Sequence, residues 1–258
     1  MWRAFRLTVL LTTLVLVAGV ALLDRARTTS WQHTVWVGAF PVNADGSAAA
    51  ADYIAALRQR ELAPVAEFIN REAHAHGVLI DEPVNLRLYA PLAAPPPTLP
   101  PDAGPFGRAW WSLQLRQFRW RTLHGIAQAP PQIALFLLYH DPARAAVLPD
   151  SVGLQRGLMG VVHLFAQRDQ AAQNAIVTAH ELLHTFGATD KYAPDSDAPR
   201  YPDGYAEPGL QPRYPQRRAE IMAGRIPLDE TMQVMPESLG QVVVGPATAR
   251  EIGWSAPP

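Results

Sequence analysis

The 258-residue chain contains no cysteine, a single lysine (Lys191) among 22 basic residues, and few charges of either sign. Without cysteine, disulfides, thiolate catalysis and cysteine-ligated zinc are excluded, so any bound metal must be held by His, Asp or Glu. The net charge of −1 lacks the basic excess typical of nucleic-acid binding, so we expect no nucleic-acid partner. With 48% hydrophobic and 17% charged residues, the composition favours a folded domain with a sizeable core.

A long apolar run lies near the amino terminus. Residues 7–23 carry no charge, and Arg3 and Arg6 precede them. This length is at the short end of what spans a bilayer as a helix. The run continues directly into Asp24 without a good cleavage site, which favours an uncleaved transmembrane signal-anchor over a cleaved signal peptide within residues 1–29. We therefore expect residues 30–258 to be extracytoplasmic: membrane-anchored and periplasmic, or secreted if the segment is cleaved.

Residues 30–258 predict one domain of the α/β (α+β) class. Alternating or continuous apolar patterns predict strands at 34–42, 84–92, 132–140 and 158–166. Helical periodicity predicts helices at 50–76, 110–124 and 167–186, with short helices near 228–235 and 246–252. Pro64 predicts a kink or break in the first helix. The proline-rich stretch 91–107 predicts a surface loop, and residues 193–218 predict an irregular one.

The segment from His180 to His184 has the pattern HExxH and lies on the longest predicted helix. Residues four apart share a helix face, so the imidazoles of His180 and His184 can approach one Zn²⁺ ion. Glu181 then lies beside the metal, where it can act as a general base without being a ligand. Such a pattern arises by chance in roughly one chain in a hundred of this composition, which favours a metal site.

The residues after this pattern extend it. Gly187 can end the helix and turn the chain sharply, which can bring Asp190 back towards the metal as a third, oxygen ligand. The string HELLHTFGATD, 180–190, resembles the HExxHxxGxxH motif of the metzincin zinc metalloproteases, with Asp in place of the third His. Within that clan it is most similar to snapalysin-like peptidases, whose motif ends in Asp and continues to a Tyr two residues on. Tyr192 matches that Tyr.

The resemblance implies a zincin or metzincin-like fold, with a mixed twisted sheet, an active-site helix and an irregular carboxy-terminal subdomain. Met222, within 220–224, resembles the methionine turn that underlies the ligands in such proteins without binding the metal. The strand 158–166 would border the cleft as an edge strand and hydrogen-bond to an extended peptide. Tyr192 is the expected catalytic phenol. The alternatives for that role are Tyr201, Tyr205 and Tyr214.

The function implied is a zinc-dependent metalloendopeptidase that hydrolyses a peptide or protein substrate. His180, His184 and Asp190 would hold Zn²⁺ and leave one position for water. Glu181 would accept the proton of that water and pass it to the leaving amine.

Alternatives stay open for both the ligands and the function. Glu207 or Glu220 could supply the third ligand, or Asp190 could orient a histidine from behind. A zincin-fold protein could also bind zinc at the cell envelope without turnover, and a membrane-anchored scaffold would need no metal. The sequence carries no signal for an oligomeric state.

Overall fold

The computed structural model describes residues 28–100, 102–126, 129–155 and 157–254, together with residues 2, 5–8, 11–12, 15 and 19. No helix among these residues is long and apolar enough to cross a bilayer. This finding contradicts the predicted transmembrane signal-anchor and the membrane-anchored location. Most of the apolar run 7–23 lies outside the described residues.

A five-stranded sheet forms the centre of the described part. Its strands are β1 (Val35–Asn43), β2 (Val84–Leu88), β3 (Ile133–His140), β4 (Val152–Leu154) and β5 (Met159–Phe165). They are ordered β2-β1-β3-β5-β4. All neighbours run parallel except β4, which is antiparallel to β5. The expected mixed α/β class is therefore confirmed.

Five helices accompany the sheet in the part of the chain from residue 35 onward that the structure describes. They are α1 (Ala48–Ala56), α2 (Ala63–Ala75), α3 (Pro105–His124), α4 (Ala171–Phe186) and α5 (Pro246–Glu251). Pro64 stands in the first turn of α2, where its missing N–H costs nothing, so the predicted helix 50–76 is two helices. Helix α1 begins at Ser47, whose hydroxyl accepts the N–H of Ala50.

The sheet has an apolar core on each of its two faces. Strand β3 is therefore buried along nearly its whole length. Alternate residues of a strand point to opposite faces. Ile133, Leu135 and Leu137 join the larger apolar cluster, which includes residues of α2 and α4. Residues 134, 136 and 138 join a smaller cluster with α3. The active-site helix predicted at 167–186 thus packs as α4 against one face of the sheet.

The two edges of the sheet differ in their backbone hydrogen bonding. At β2, the side-chain amide of Gln59 bonds the carbonyl of Leu86 and the N–H of Leu88, each at 2.7 Å. Asn70 pairs in the same way with both backbone groups of Val84, at 2.8 and 3.0 Å. These amides occupy backbone groups that another strand would otherwise pair with. The edge at β2 is thus blocked from within the chain.

The other edge is β4, and this corrects the prediction that 158–166 is the edge strand. That segment forms β5, which lies between β3 and β4. Strand β4 is absent from the sequence-based prediction because it is only three residues long, Val152–Leu154.

The carboxy-terminal part of the described chain has little regular structure before α5. Strands β6 (Ala219–Glu220) and β9 (Val242–Val243) pair in parallel, and β7 (Ile226–Pro227) pairs antiparallel with β8 (Gln233–Val234). The helix predicted near 228–235 is wrong. The Asp229 carboxylate accepts the N–H groups of Thr231 and Met232, both at 2.7 Å, and so closes a turn between β7 and β8.

Candidate metal centre

Helix α4 supplies the first group of functional side chains. The potential ligand atoms of His180, Glu181 and His184 lie within 4.8 Å of one another, so this group could hold a metal ion. The helix ends at Gly187, whose φ of +108° is left-handed and favours glycine. The N–H of Gly187 donates to the carbonyl of His184, which closes the last turn. The chain therefore reverses where the sequence predicted it.

Backbone carbonyls fix the orientation of both imidazoles. His180 Nδ1 lies 3.0 Å from the Ile221 carbonyl oxygen, and His184 Nδ1 lies 2.8 Å from that of Ala188. Because a carbonyl oxygen only accepts hydrogen bonds, each Nδ1 carries a proton and donates it. In the neutral ring the lone pair is then on Nε2. The two Nε2 atoms face each other at 3.1 Å.

Asp190 completes a triangle with these nitrogens. Its Oδ1 lies 3.3 Å from His180 Nε2 and 3.2 Å from His184 Nε2. The same oxygen is buried and has no well-directed hydrogen bond among the described residues. Three acceptor atoms that converge in this way repel one another unless a cation lies between them.

The charge of Asp190 needs a positive partner at this position. Burial raises the pKa of Asp190, and positive charge on His180 and His184 would outweigh that effect and hold the pKa well below its usual range. With neutral imidazoles, a bound cation would supply that positive charge. The carbonyls of Ile221 and Ala188 already occupy the Nδ1 sides of the two rings. Asp190 therefore lies in front of the imidazoles and does not orient either of them from behind.

Glu181 is buried beside the triangle. Its carboxyl group accepts the backbone N–H of Gly153 in β4. The second oxygen, Oε2, is buried without a hydrogen-bond partner in the described part of the chain. Burial raises the pKa of Glu181, and the neighbouring histidines only partly oppose that effect. One oxygen is thus held while the other is available to a further group.

Gly153 is a site residue that sequence reasoning missed. A Cβ at position 153 would overlap the backbone carbonyl of Glu181 and would lie 2.5 Å from His184 Cβ. Only glycine lets β4 approach the ligand-bearing helix this closely. Gly160 stands opposite it in the β4–β5 register, where a Cβ would lie 2.8 Å from Leu135 Cδ2. Each of these two glycines stands between two apolar residues, and this is the signal that could have identified the contact.

A cleft of 520 Å³ opens beside the ligand group. It is lined by His180, Glu181 and Tyr192, by the loop 146–151 before β4, and by the segment 221–225. A larger groove of 640 Å³ lies at the β2 edge, and its walls include Trp36 and Asn70. The smaller cleft is the one that His180 and Glu181 line.

Tyr192 reaches the site that the sequence predicted for it. Its hydroxyl hydrogen-bonds with Asp190, and burial together with the Asp190 charge raises the pKa of Tyr192 to about 12. The three other candidate tyrosines lie elsewhere among the described residues: the hydroxyls of Tyr205 and Tyr214 bond each other at 2.9 Å, and Tyr201 packs against the Arg213 guanidinium. Tyr192 is therefore the phenol nearest the candidate ligands.

The turn at Met222 lies under the site. The Met222 side chain is fully buried in the larger apolar cluster. The carbonyl before it, from Ile221, accepts the proton of His180, and its own carbonyl accepts the N–H of Lys191 at 2.8 Å. This turn thus contacts both ligand-bearing segments through its backbone.

The alternative third ligands are occupied elsewhere. The fully buried Glu220 accepts the N–H groups of Met222 and Gly245 and the hydroxyl of Thr248. The carboxylate of Glu207 contacts Arg218 and the N–H of residue 217.

A second pair of imidazoles stands in the cleft wall. His163 lines the cleft, and its Nδ1 lies 2.8 Å from His140 Nε2. Burial lowers the pKa of both, that of His163 to about 4. The pair is therefore neutral at neutral pH and adds a hydrogen-bonding group to the cleft without adding charge.

No protein-family model and no curated protein matches the chain. The interpretation of the site therefore rests on its geometry.

Proposed function

We propose that the protein is a zinc-dependent metalloendopeptidase in which His180, His184 and Asp190 bind the metal. The triangle of ligand atoms carries this proposal. Zinc binds imidazole nitrogen and carboxylate oxygen at about 2.0–2.1 Å, so adjacent ligands of a tetrahedral ion are roughly 3.3–3.4 Å apart. The three separations of 3.1, 3.2 and 3.3 Å match that spacing.

Three features of the chain support a metzincin-like architecture. The left-handed Gly187 returns the chain from α4 to Asp190. The backbone of the buried turn at Met222 contacts both ligand-bearing segments. The antiparallel edge strand β4 runs beside the ligand-bearing helix.

The proposed chemistry divides between the metal and Glu181. When bound, zinc acts as a Lewis acid that polarises a carbonyl and makes water more acidic. Glu181 would take a proton from the attacking water at its Oε2 and deliver it to the leaving amine. The Gly153 N–H holds the carboxylate in place for both transfers. Tyr192 would turn its single O–H from Asp190 to the scissile carbonyl oxygen and stabilise the charge that develops there.

The substrate class proposed is an extended peptide. An extended chain can pair with a strand edge through its own backbone. The edge at β4 lies beside the ligand group, and of its backbone N–H groups that of Gly153 already bonds Glu181. The opposite edge at β2 is occupied by the side chains of Gln59 and Asn70. A peptide added at β4 would enter the cleft that contains Glu181 and Tyr192.

The test compares Glu181→Gln with wild type and with Glu230→Gln, a matched change at an exposed glutamate. We expect one zinc ion per chain in all three proteins. Hydrolysis of an unstructured protein such as casein should fall by at least ~100-fold in Glu181→Gln alone, the lower end of the usual cost of losing a general base.

Each other outcome is informative. Loss of zinc from Glu181→Gln would make Glu181 a ligand and contradict the assignment of Asp190. Zinc on all three proteins with hydrolysis in none would point to a zinc protein that binds without turnover. The absence of stoichiometric zinc from wild type would contradict the proposal as a whole.

A further inference from the structure

The loop that carries Asp190 is short and has no regular secondary structure. It leaves α4 at Gly187, and the N–H of Ala188 donates to the Leu183 carbonyl at 3.1 Å. The Arg200 guanidinium donates to the Asp190 carbonyl at 2.8 Å. The position of this backbone decides where the ligand oxygen lies, because an aspartate has only two side-chain torsions. Whatever holds the loop therefore determines how well the triangle is formed.

The only lysine in the chain lies next to that ligand, and it is buried. The Lys191 side chain is 6% exposed. Its Nζ donates to the carbonyl and hydroxyl oxygens of Thr189 at 2.7 and 2.8 Å. It also contacts both carboxylate oxygens of Glu251, each at 2.8 Å. Lys191 is therefore joined to α5, which contains Glu251.

Glu251 binds the loop on both sides of the ligand. It accepts the backbone N–H and the hydroxyl of Thr189, both at 2.8 Å, in addition to the Lys191 ammonium. One carboxylate from α5 thus fixes the residue before Asp190 and the residue after it.

We infer that Lys191 and Glu251 are positioning residues for Asp190 and that they set the metal affinity of the site. The geometric part of this role is the fixed loop. The electrostatic part is neutralisation: a buried ammonium beside a divalent cation would weaken metal binding, and Glu251 cancels its charge. The inference rests on the proposed metal centre and adds that α5, which lies outside the ligand motif, determines how tightly the ion is held.

The experiment measures the Zn²⁺ dissociation constant of the apo full-length protein by competition with a chelator, and the visible spectrum of its Co²⁺ form. Glu251→Gln keeps the size of the side chain, but the amide has one acceptor oxygen in place of two and no negative charge, so part of the contacts with Thr189 and Lys191 is lost. We expect a 10–100-fold weaker affinity, the usual effect of losing a partner behind a metal ligand, and an altered Co²⁺ spectrum. The double variant Lys191→Met/Glu251→Gln removes the unpaired ammonium and should regain part of the affinity.

Glu72→Gln is the matched control. Glu72 is a buried glutamate that accepts the N–H of Val244 in the carboxy-terminal segment, and it contacts Arg71 on its own helix. We expect Glu72→Gln to lower the folding stability while leaving the Zn²⁺ affinity within about two-fold of wild type. If Glu251→Gln does not fold, Thr189→Val replaces it, because that change removes the hydroxyl contacts and leaves the ion pair. A loss of affinity smaller than 100-fold but above two-fold is then expected.

The outcomes separate this inference from the proposed function. Wild-type affinity in Glu251→Gln, or in Thr189→Val where that is the variant tested, would show that the pair acts only on stability and would overturn the inference alone. An equal loss of Zn²⁺ affinity in Glu72→Gln would also overturn the inference alone. A wild-type protein that binds neither ion would overturn the proposed function together with the inference.

Discussion

The closest contact at the candidate site can be tested by replacing Gly153 with alanine. The added Cβ would overlap the backbone carbonyl of Glu181 and approach His184 Cβ to 2.5 Å. Neither obstacle can rotate away, because one is helix backbone and the other is attached to it. Strand β4 must therefore move outward by about 1 Å to reach ordinary contact distances, and overpacking of this kind costs about 1–3 kcal/mol.

The same displacement should affect catalysis as well as stability. It would pull the Gly153 N–H away from the Glu181 carboxyl group. A misplacement of about 1 Å in a catalytic group can lower the rate by about 100-fold. We therefore expect Gly153→Ala to lose about 2–3 kcal/mol in urea-induced unfolding and about 100-fold in kcat/KM on a peptide substrate.

Gly209→Ala is the control for this substitution. A Cβ at position 209 meets nothing within 4 Å, so this change should be neutral or slightly stabilising. Surface substitutions usually change the free energy of unfolding by no more than about 0.5 kcal/mol. If the free energies of unfolding of Gly153→Ala and the control differ by less than that, and Gly153→Ala hydrolyses peptide at the wild-type rate, then β4 does not contact α4 as closely as described.

Two further predictions concern the metal and the pH dependence of stability. Zn²⁺ at 1,000 times its dissociation constant should stabilise the wild type by about 4 kcal/mol. Calorimetry measures this as a rise in the melting temperature, and an equal rise in His180→Ala would contradict the site. Burial opposes ionisation of Asp45, but hydrogen bonds from Ser47 and Asp141 lower its pKa to about 2 from 3.8. Because the folded-state pKa is the lower one, this stabilisation is complete above pH 4 and is lost as the pH falls towards 2. After allowance for the exposure of the carboxylate, the free energy of unfolding of wild type should fall by about 1 kcal/mol more than that of Asp45→Asn between pH 4 and pH 2. Urea unfolding measures both, and an equal fall in the two proteins would refute this prediction.

The parts of the fold that could be predicted from the sequence are those determined by local patterns. The apolar run 132–140 predicted a central strand because β3 is buried on both faces. The reversal at Gly187 followed from a residue that readily adopts left-handed backbone. Strand β4 could not be predicted in this way, since a three-residue segment has too short a pattern and its position depends on a glycine contact with another element. The wrong helix near 228–235 had the same origin: the Asp229 side chain competes for backbone N–H groups and favours a turn.

The same difference between local and long-range contacts applies to the candidate site. Its proposed ligands lie within one short segment, so helix geometry and one turn were enough to predict that His180, His184 and Asp190 lie close together. The groups that orient them come from distant parts of the chain: the Ile221 carbonyl lies 41 residues beyond His180, and Glu251 lies 62 residues beyond Thr189. No periodicity links such positions, because they meet only after the carboxy-terminal segment has packed against α4. Metal affinity should therefore depend on substitutions in α5 that no motif would identify, and the comparison of the Glu251 and Glu72 variants tests this.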